Sequence, residues 1–191
     1  MISQLRPTLV VFTALTLACC VAYPLAVTGV ARVLFPGQAA GSLLERDGKV
    51  VGSRLIGQAF TSPRYFWGRP SATAPMPANG AASGGSNQGP LNPALIEAAR
   101  GRVDALRAAD PGNTSPVPAE LVTASASGLD PDIGIAAARW QVARVARVRG
   151  LPVAEVEALV ARHASSPPLA FLGETTVNVL MLNLALDELR K

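Results

Sequence analysis

Residues 7–31 read PTLVVFTALTLACCVAYPLAVTGVA, with no charged side chain between Arg6 and Arg32. A helix needs roughly 20 apolar residues to cross the ~30 Å hydrocarbon core of a bilayer, and this run is long enough. We therefore predict an N-terminal transmembrane anchor over residues 1–35. Because proline removes a helical hydrogen bond, the anchor is expected to kink at Pro24.

A cleaved signal peptide is the main alternative for this segment. The apolar core of a signal peptide is roughly 7–15 residues long, which is shorter than the run found here. A lipoprotein signal fits poorly as well, because the apolar run continues well past Cys19 and Cys20. A retained single span is favoured, with both cysteines inside the membrane and without a redox role. The flanking charges are too balanced for the positive-inside rule to fix the orientation.

The composition narrows the class of protein. The chain has 191 residues, of which 49% are hydrophobic and 16% are charged, with 17 basic and 13 acidic side chains. The charged share lies well below the roughly 25% of soluble domains, as expected for a membrane-anchored chain. Two adjacent cysteines and a single histidine argue against a disulfide framework and a metal site, so no metal is expected. An aromatic share of 5% argues against single-stranded nucleic acid as a partner, and the membrane anchor and the lack of a known motif argue against nucleic acid in general.

Residues 36–191 are predicted to form one soluble α+β domain with a small sheet. Asp47-Gly48 separates two apolar runs and favours the type I′ turn of a β-hairpin, in which both central residues need positive φ. Proline, glycine and cap residues then delimit about four helices. The helices are expected at 93–109 after Asn92, at 135–149 before Gly150, at 152–163, and from Thr176 to Asp187.

A long irregular stretch, 61–92, contains a glycine-rich loop that reads SGGSNQGP at 83–90. Backbone N–H groups of such loops can cradle phosphate, particularly when a helix follows. However, the loop lacks the lysine of a P-loop and its strand–loop–helix context. A structured loop in which Gly84 and Gly85 permit positive φ is favoured, and nucleotide binding stays open as the alternative. The candidate residues are Ser83, Gly84, Gly85, Ser86, Asn87 and Gln88.

Three consecutive aromatic residues near the start of the irregular stretch are candidates for partner binding. Tyr65, Phe66 and Trp67 would anchor the stretch either on the domain itself or on another subunit. Large aromatic side chains contribute much of the contact energy in cores and interfaces. This segment is therefore expected to be held at one end.

The helix at 135–149 has a basic side and an apolar side. Its basic side is either a solvated polar face or a docking surface for acidic groups of a partner. The basic side consists of Arg139, Trp140, Arg144 and Arg147, and the apolar side of Ala138, Val142 and Val145.

The carboxylates and His163 form no evident catalytic constellation. Asp130 and Asp132 are expected to meet the dipole at the start of a helix, as is Glu155, while His163 supports a helix end. The residues alone therefore indicate an accessory or interaction subunit rather than an enzyme.

Several stretches resemble the C subunit of the Kdp potassium-transporting ATPase. They follow one another behind a single span and cover most of the chain, which argues against a chance likeness. The chain departs from the family at Asp132-Ile133-Gly134, where His-Ile-Ser is usual, and at Met76-Pro77. The matching stretches are GSL (41–43) with GSRLIGQAF (52–60), YFWGRPSA (65–72), SGGSN (83–87) with GP (89–90), LVTASASGLDP (121–131), and LGE (172–174) with VNVL (177–180) and LNLALD (182–187).

The resemblance implies a high-affinity, ATP-driven potassium importer. The partners would be a channel-like potassium-translocating subunit, a P-type ATPase catalytic subunit and a very small assembly subunit. The C subunit would stabilise this complex without catalytic residues of its own and without a tightly bound cofactor. The resemblance also implies a catalytic chaperone that raises the affinity for ATP, which would assign residues 83–88 to the nucleotide.

Sidedness separates these two roles. The resemblance implies that the domain lies on the outer face of the bacterial inner (cytoplasmic) membrane, over the channel-like subunit, whereas ATP is on the inner face. We favour the outer face, because residues 83–88 include no cation to hold phosphate. An inner-facing chaperone that contacts ATP is the alternative, and a membrane-anchored scaffold unrelated to transport is a weaker one.

Overall fold

The computed structural model describes residues 2–169, 171 and 173–189. The chain divides into two compact units, Met1–Val51 and Gly52–Lys191. Helices and short strands both occur, which confirms the mixed α+β class. The predicted division at residue 35 into an anchor and a soluble domain stays a prediction.

A long apolar helix dominates the first unit. The helix over Gln4–Leu34 has 31 residues, and an 18-residue stretch within it has a mean hydropathy of 2.2, so it is long and apolar enough to cross a membrane. It comprises α1 (Ile2–Thr16), a π-helical turn (Leu17–Ala22) and α2 (Tyr23–Leu34). The π turn lies directly before Pro24, so the hydrogen-bond register changes where the missing N–H requires it.

A short helix and a hairpin follow in the chain. The helix is α3 (Pro36–Ala39), and the hairpin pairs β1 (Leu43–Arg46) with β2 (Lys49–Ser53). Both turn residues have positive φ, 52° at Asp47 and 71° at Gly48. The predicted Asp-Gly hairpin is thereby confirmed.

In the part of the second unit that the structure describes, four helices pack around a small antiparallel sheet. Asn92 caps the first helix by accepting a hydrogen bond from the Ala94 N–H, and Gly150, at φ 66°, ends the second helix. The predicted helix positions are confirmed apart from the start of the last one. The helices are α4 (Pro93–Ala109), α5 (Ile135–Arg149), α6 (Val153–His163) and α7 (Val179–Glu188), with a 3₁₀ turn at Ala119–Leu121.

Three short strands form the sheet of the second unit. They are β3 (Asp132–Gly134), β4 (Ala164–Ser165) and β5 (Thr176–Asn178), in the order β3-β5-β4. Val177 of β5 is fully buried, and it lies opposite Ile133 on one side and Ala164 on the other. The prediction that the last helix begins at Thr176 is therefore wrong, because residues 176–178 form the central strand.

The core of the second unit lies where α5, α6 and α7 meet the sheet. The apolar side predicted for α5 is confirmed, since Ala138, Val142 and Val145 are all buried. Further buried apolar side chains in this core are Phe66, Leu106, Leu121, Ile133, Ala137, Ala146, Val156, Leu159, Val160, Val177, Val179, Leu182 and Leu186.

Candidate functional site

Two amide side chains hold the main chain of the aromatic segment. Asn183 on α7 accepts the Phe66 N–H at 2.9 Å and donates to the Phe66 carbonyl at 2.9 Å. Gln141 on α5 accepts the Trp67 N–H at 2.8 Å and donates to the Trp67 carbonyl at 3.0 Å. Each amide thus reproduces the paired bonds of a strand partner. Phe66 is fully buried, so within this chain the segment is anchored on its own domain.

Arg144 on α5 also bonds to the main chain of this segment. Its guanidinium donates to the carbonyls of Pro63 and Tyr65 and to Gln141 Oε1, and it lies 4.9 Å from the centre of the Trp67 ring. Burial lowers the pKa of Arg144 to about 10, with Asp110 acting against this shift and Arg147 adding to it.

A second arginine fixes the preceding turn. Arg149 donates to the Arg64 carbonyl at 2.8 Å and to Asp187 Oδ1 at 2.7 Å, and it lies 4.8 Å from the centre of the Tyr65 ring. The Tyr65 hydroxyl donates to the other oxygen of Asp187 at 3.1 Å. The arginine side chain is buried, so its charge is balanced inside the domain.

The predicted docking surface on α5 requires correction. Arg144 is fully buried, so it cannot present a charge at the surface of this chain. Arg147 stays half exposed but pairs at 2.8 Å with the buried carboxylate of Asp110. Trp140 is partly buried against the core, and Arg139 is exposed. The basic side was predicted as one face because sequence spacing does not show that the 63–67 loop covers part of it.

The glycine-rich loop lies against residues 125–130, called here the SGLD segment. Ser83 Oγ and the Gly84 N–H both donate to the Ser127 carbonyl, at 3.1 and 2.8 Å. A Cβ on Gly85 would lie 2.9 Å from the Ala126 carbonyl oxygen, so only glycine allows this close approach. The expected positive φ is found at Asn87 (50°) and not at Gly84 or Gly85, which corrects that prediction.

Two further stretches of the chain bond to the SGLD segment, one at Gly57 and the other at residues 69–71. The Gly57 N–H donates to the Leu129 carbonyl at 2.8 Å, and Ser71 Oγ donates to the Gly128 carbonyl at 2.7 Å. Pro70 accepts the Ser125 N–H at 3.1 Å, and Arg69 pairs with Asp130 at 3.1 Å. Loops that are far apart in sequence are therefore joined at one junction.

The acidic residues around residue 130 do not meet a helix dipole as predicted. Asp130 Oδ1 accepts the Asp132 N–H at 3.1 Å, and Asp132 begins β3, where its carboxylate accepts from Asn178 Nδ2 at 3.0 Å. Burial raises the pKa of Asp132, opposed by the Asn178 hydrogen bond and reinforced by the charge of Asp130. By contrast, Glu155 lies in the first turn of α6 as predicted, and His163 Nδ1 is 2.9 Å from the Leu159 carbonyl.

The family model described as "K+-transporting ATPase, c chain" matches residues 5–188. A potassium-transporting ATPase KdpC subunit from Polaromonas naphthalenivorans is 68% identical over 97% of this chain and 95% of its own length. KdpC subunits from Janthinobacterium and Methylococcus capsulatus are 62% and 60% identical, over 97% and 100% of this chain and 98% and 100% of their own lengths. A scaffold unrelated to transport is therefore the wrong interpretation. The sequence matches, together with the apolar N-terminal helix and the mixed domain behind it, place the chain in the KdpC family of K+-transporting ATPase subunits.

Proposed function

We propose that this chain is an accessory subunit that stabilises a potassium-importing P-type ATPase complex and does not itself carry out catalysis. Its partners would be the channel-like subunit, the P-type catalytic subunit and the small assembly subunit, all within the membrane. The single observation that supports this best is the junction at the SGLD segment. The stretches that resemble the family meet there through bonds of the domain to itself, such as those of Ser83 and Gly84 to Ser127.

The chemistry of the glycine-rich loop favours this role over nucleotide binding. The Ser83 hydroxyl and the Gly84 N–H already donate to a carbonyl, and residues 83–88 include no cation. Uncharged donors compete poorly with water for a polyanion. We therefore propose that the chain has no tightly bound cofactor, and that ATP in the complex is held by the catalytic subunit.

The membrane arrangement is part of the proposal. The helix over Gln4–Leu34 would remain in the mature chain as a single span of the bacterial inner membrane, and the second unit would lie on the outer face. The apolar helix has the length and hydropathy of a transmembrane span. A domain that binds no nucleotide does not need to lie on the inner face, where ATP is.

A charge in the middle of the span tests the retained anchor. Leu17→Arg should cost roughly 2.5–3.5 kcal/mol of insertion free energy, and the chain should then be lost from the purified complex. Leu17→Val is the matched control and should assemble normally. A mature chain that begins after residue 25, or full assembly of Leu17→Arg, would refute the anchor.

Sidedness is tested by labelling. In a chain with both native cysteines replaced by serine, Ala108→Cys places a single thiol on an exposed position of α4. A membrane-impermeant maleimide should label it in intact cells. Labelling that requires lysis would place the domain on the inner face.

An ATP-contacting chaperone remains the second candidate because of Ser86. This residue is exposed, and its hydroxyl has no hydrogen-bond partner among the described residues, so it could meet a ligand. The effect of Ser86→Ala on the use of ATP by the complex separates the two roles.

A further inference from the structure

A cavity of about 320 Å³ opens beside the SGLD segment, on the side of α4. Its size falls within the range of small-molecule sites, which are roughly 300–1,000 Å³. Most of its wall is apolar, and three charged groups are set into that wall. The apolar residues include Phe60, Trp67, Leu106, Leu121 and Val179, and the charged ones are Arg69, Arg102 and Asp130.

The two arginines retain unused hydrogen-bonding capacity. Arg69 Nη1 pairs with Asp130 at 3.1 Å, and 28% of the Arg69 side chain stays accessible. Arg102 Nη1 donates to the Val122 carbonyl at 2.7 Å. A guanidinium has five N–H donors, and these bonds use only part of that number in each arginine. The wall therefore presents donors that an anion in the cavity could satisfy.

The charged groups in the wall also limit the number of negative charges that the anion can carry. Two guanidinium groups and one carboxylate leave a net charge of one positive unit, which matches a single negative charge. Burial lowers the pKa of the Arg102 guanidinium, since the cation has lost part of its hydration there. A polyphosphate would bring several negative charges into a wall with only one to spare, and it would also face the carboxylate of Asp130.

We propose that this cavity binds one small organic monocarboxylate with an apolar body. The carboxylate is held by Arg69 and Arg102, and the apolar body lies against Phe60, Leu106 and Val179. Because Phe60 and Arg69 belong to the irregular loops and Leu106 to α4, the ligand ties these loops to the helix. The site is separate from residues 83–88, which do not line the cavity.

The full-length chain in detergent micelles is titrated with benzoate and with hexanoate by calorimetry. We expect one saturable site with a Kd of about 1 mM or tighter for at least one of them. Benzamide has the same ring without the charge and should bind at least about tenfold more weakly than benzoate. Absence of saturable binding by both carboxylates, or equal binding of benzoate and benzamide, overturns the proposal.

Two variants locate the binding site. Arg102→Gln should weaken carboxylate binding by about tenfold or more, and it avoids the Arg69–Asp130 pair, whose loss could unfold the domain. Ala105→Phe should block the cavity, because exposed Ala105 lines it, whereas Ala108→Phe on the same helix lies outside and should bind normally. Unchanged binding by Arg102→Gln or by Ala105→Phe contradicts the site, and displacement of bound benzoate by stoichiometric ATP contradicts the choice of ligand.

Discussion

At the scale of single residues, the domain depends on polar side chains that serve the main chain of a loop. Asn183 and Gln141 each satisfy both backbone groups of one aromatic residue, and both amides are almost completely buried. A buried backbone group left without a partner costs about 1–3 kcal/mol. Loops with many proline and glycine residues form few backbone–backbone hydrogen bonds, so side chains such as these amides satisfy the backbone groups instead.

Removal of one amide side chain should therefore destabilise the fold strongly. Asn183→Ala leaves the N–H and the carbonyl of Phe66 without their partners, and we expect the free energy of unfolding to fall by about 2–5 kcal/mol. Chemical denaturation of the purified chain measures this. Gln38→Ala, which removes an exposed amide, is the control and should change stability by less than about 0.5 kcal/mol. Equal stabilities of the two variants would show that the amide does not hold the loop.

Asp132 gives a pH-dependent prediction. Its pKa is raised by burial, so the ionised form destabilises the fold above that pKa, and this penalty disappears as the pH falls through it. Asp132→Asn removes the charge and can still accept from Asn178. Its free energy of unfolding at pH 7 should exceed that of the native chain by less than about 1 kcal/mol, because the carboxylate is partly solvated.

The difference should shrink as the pH is lowered, because the native carboxyl becomes protonated at a higher pH than an ordinary aspartate does. Thermal melts at several pH values follow this trend, and Asp104→Asn on an exposed position provides the control. A difference that grows toward acid would mean that the buried carboxylate stabilises the fold.

These residue-scale features were hard to predict. Asn183 and Gln141 occur in helical sequence patterns in which an amide has no special spacing, and their partners lie 117 and 74 residues away. The burial of Arg144 was missed for the same reason, since the loop that covers it comes from residues 63–67. Asn183 is a polar residue within the apolar run 179–186, and this was the one sign in the sequence that its side chain has a buried partner.

At the scale of elements, neighbouring glycines in the glycine-rich loop have different roles. A Cβ on Gly85 would collide with the Ala126 carbonyl oxygen at 2.9 Å, whereas a Cβ on Gly84 would meet nothing within 4 Å. Gly85→Ala should lower the free energy of unfolding by about 1–3 kcal/mol, because two backbone segments must separate. Gly84→Ala is the matched control and should be nearly neutral in a denaturant melt. Equal effects of both substitutions would refute the close packing of the loop on the SGLD segment.

Elements with local signals were predicted well, and those formed by distant pairing were not. The Asp47-Gly48 turn, the Asn92 cap and the Gly150 stop each depend on the conformation of one or two residues, which sequence reveals directly. The strands β3, β4 and β5 have two or three residues each, too few to show a period. Only their pairing across the fold identifies them as strands.

At the scale of the whole molecule, sequence stretches identified the family more effectively than side-chain chemistry did. No catalytic constellation was evident from the sequence alone, and the accessory role that we propose requires none. The resemblance lies in stretches rich in glycine, serine and proline, and three of these, 52–60, 65–72 and 83–87, bond to residues 125–130. Their meeting point was not visible in the sequence, because it depends on the packing of loops without regular structure.

We propose that the glycine-rich loop serves the structure of an accessory subunit and does not bind ATP. The most direct test is the ATP concentration at half-maximal hydrolysis, measured on the purified complex with Ser86→Ala and with the native chain, after equal subunit content is verified. Ser86 is exposed and its hydroxyl has no partner among the described residues, so its loss leaves the fold unchanged. We expect values that agree within about twofold, whereas a rise of about tenfold or more in an intact complex would contradict the structural role and support the ATP-contacting chaperone.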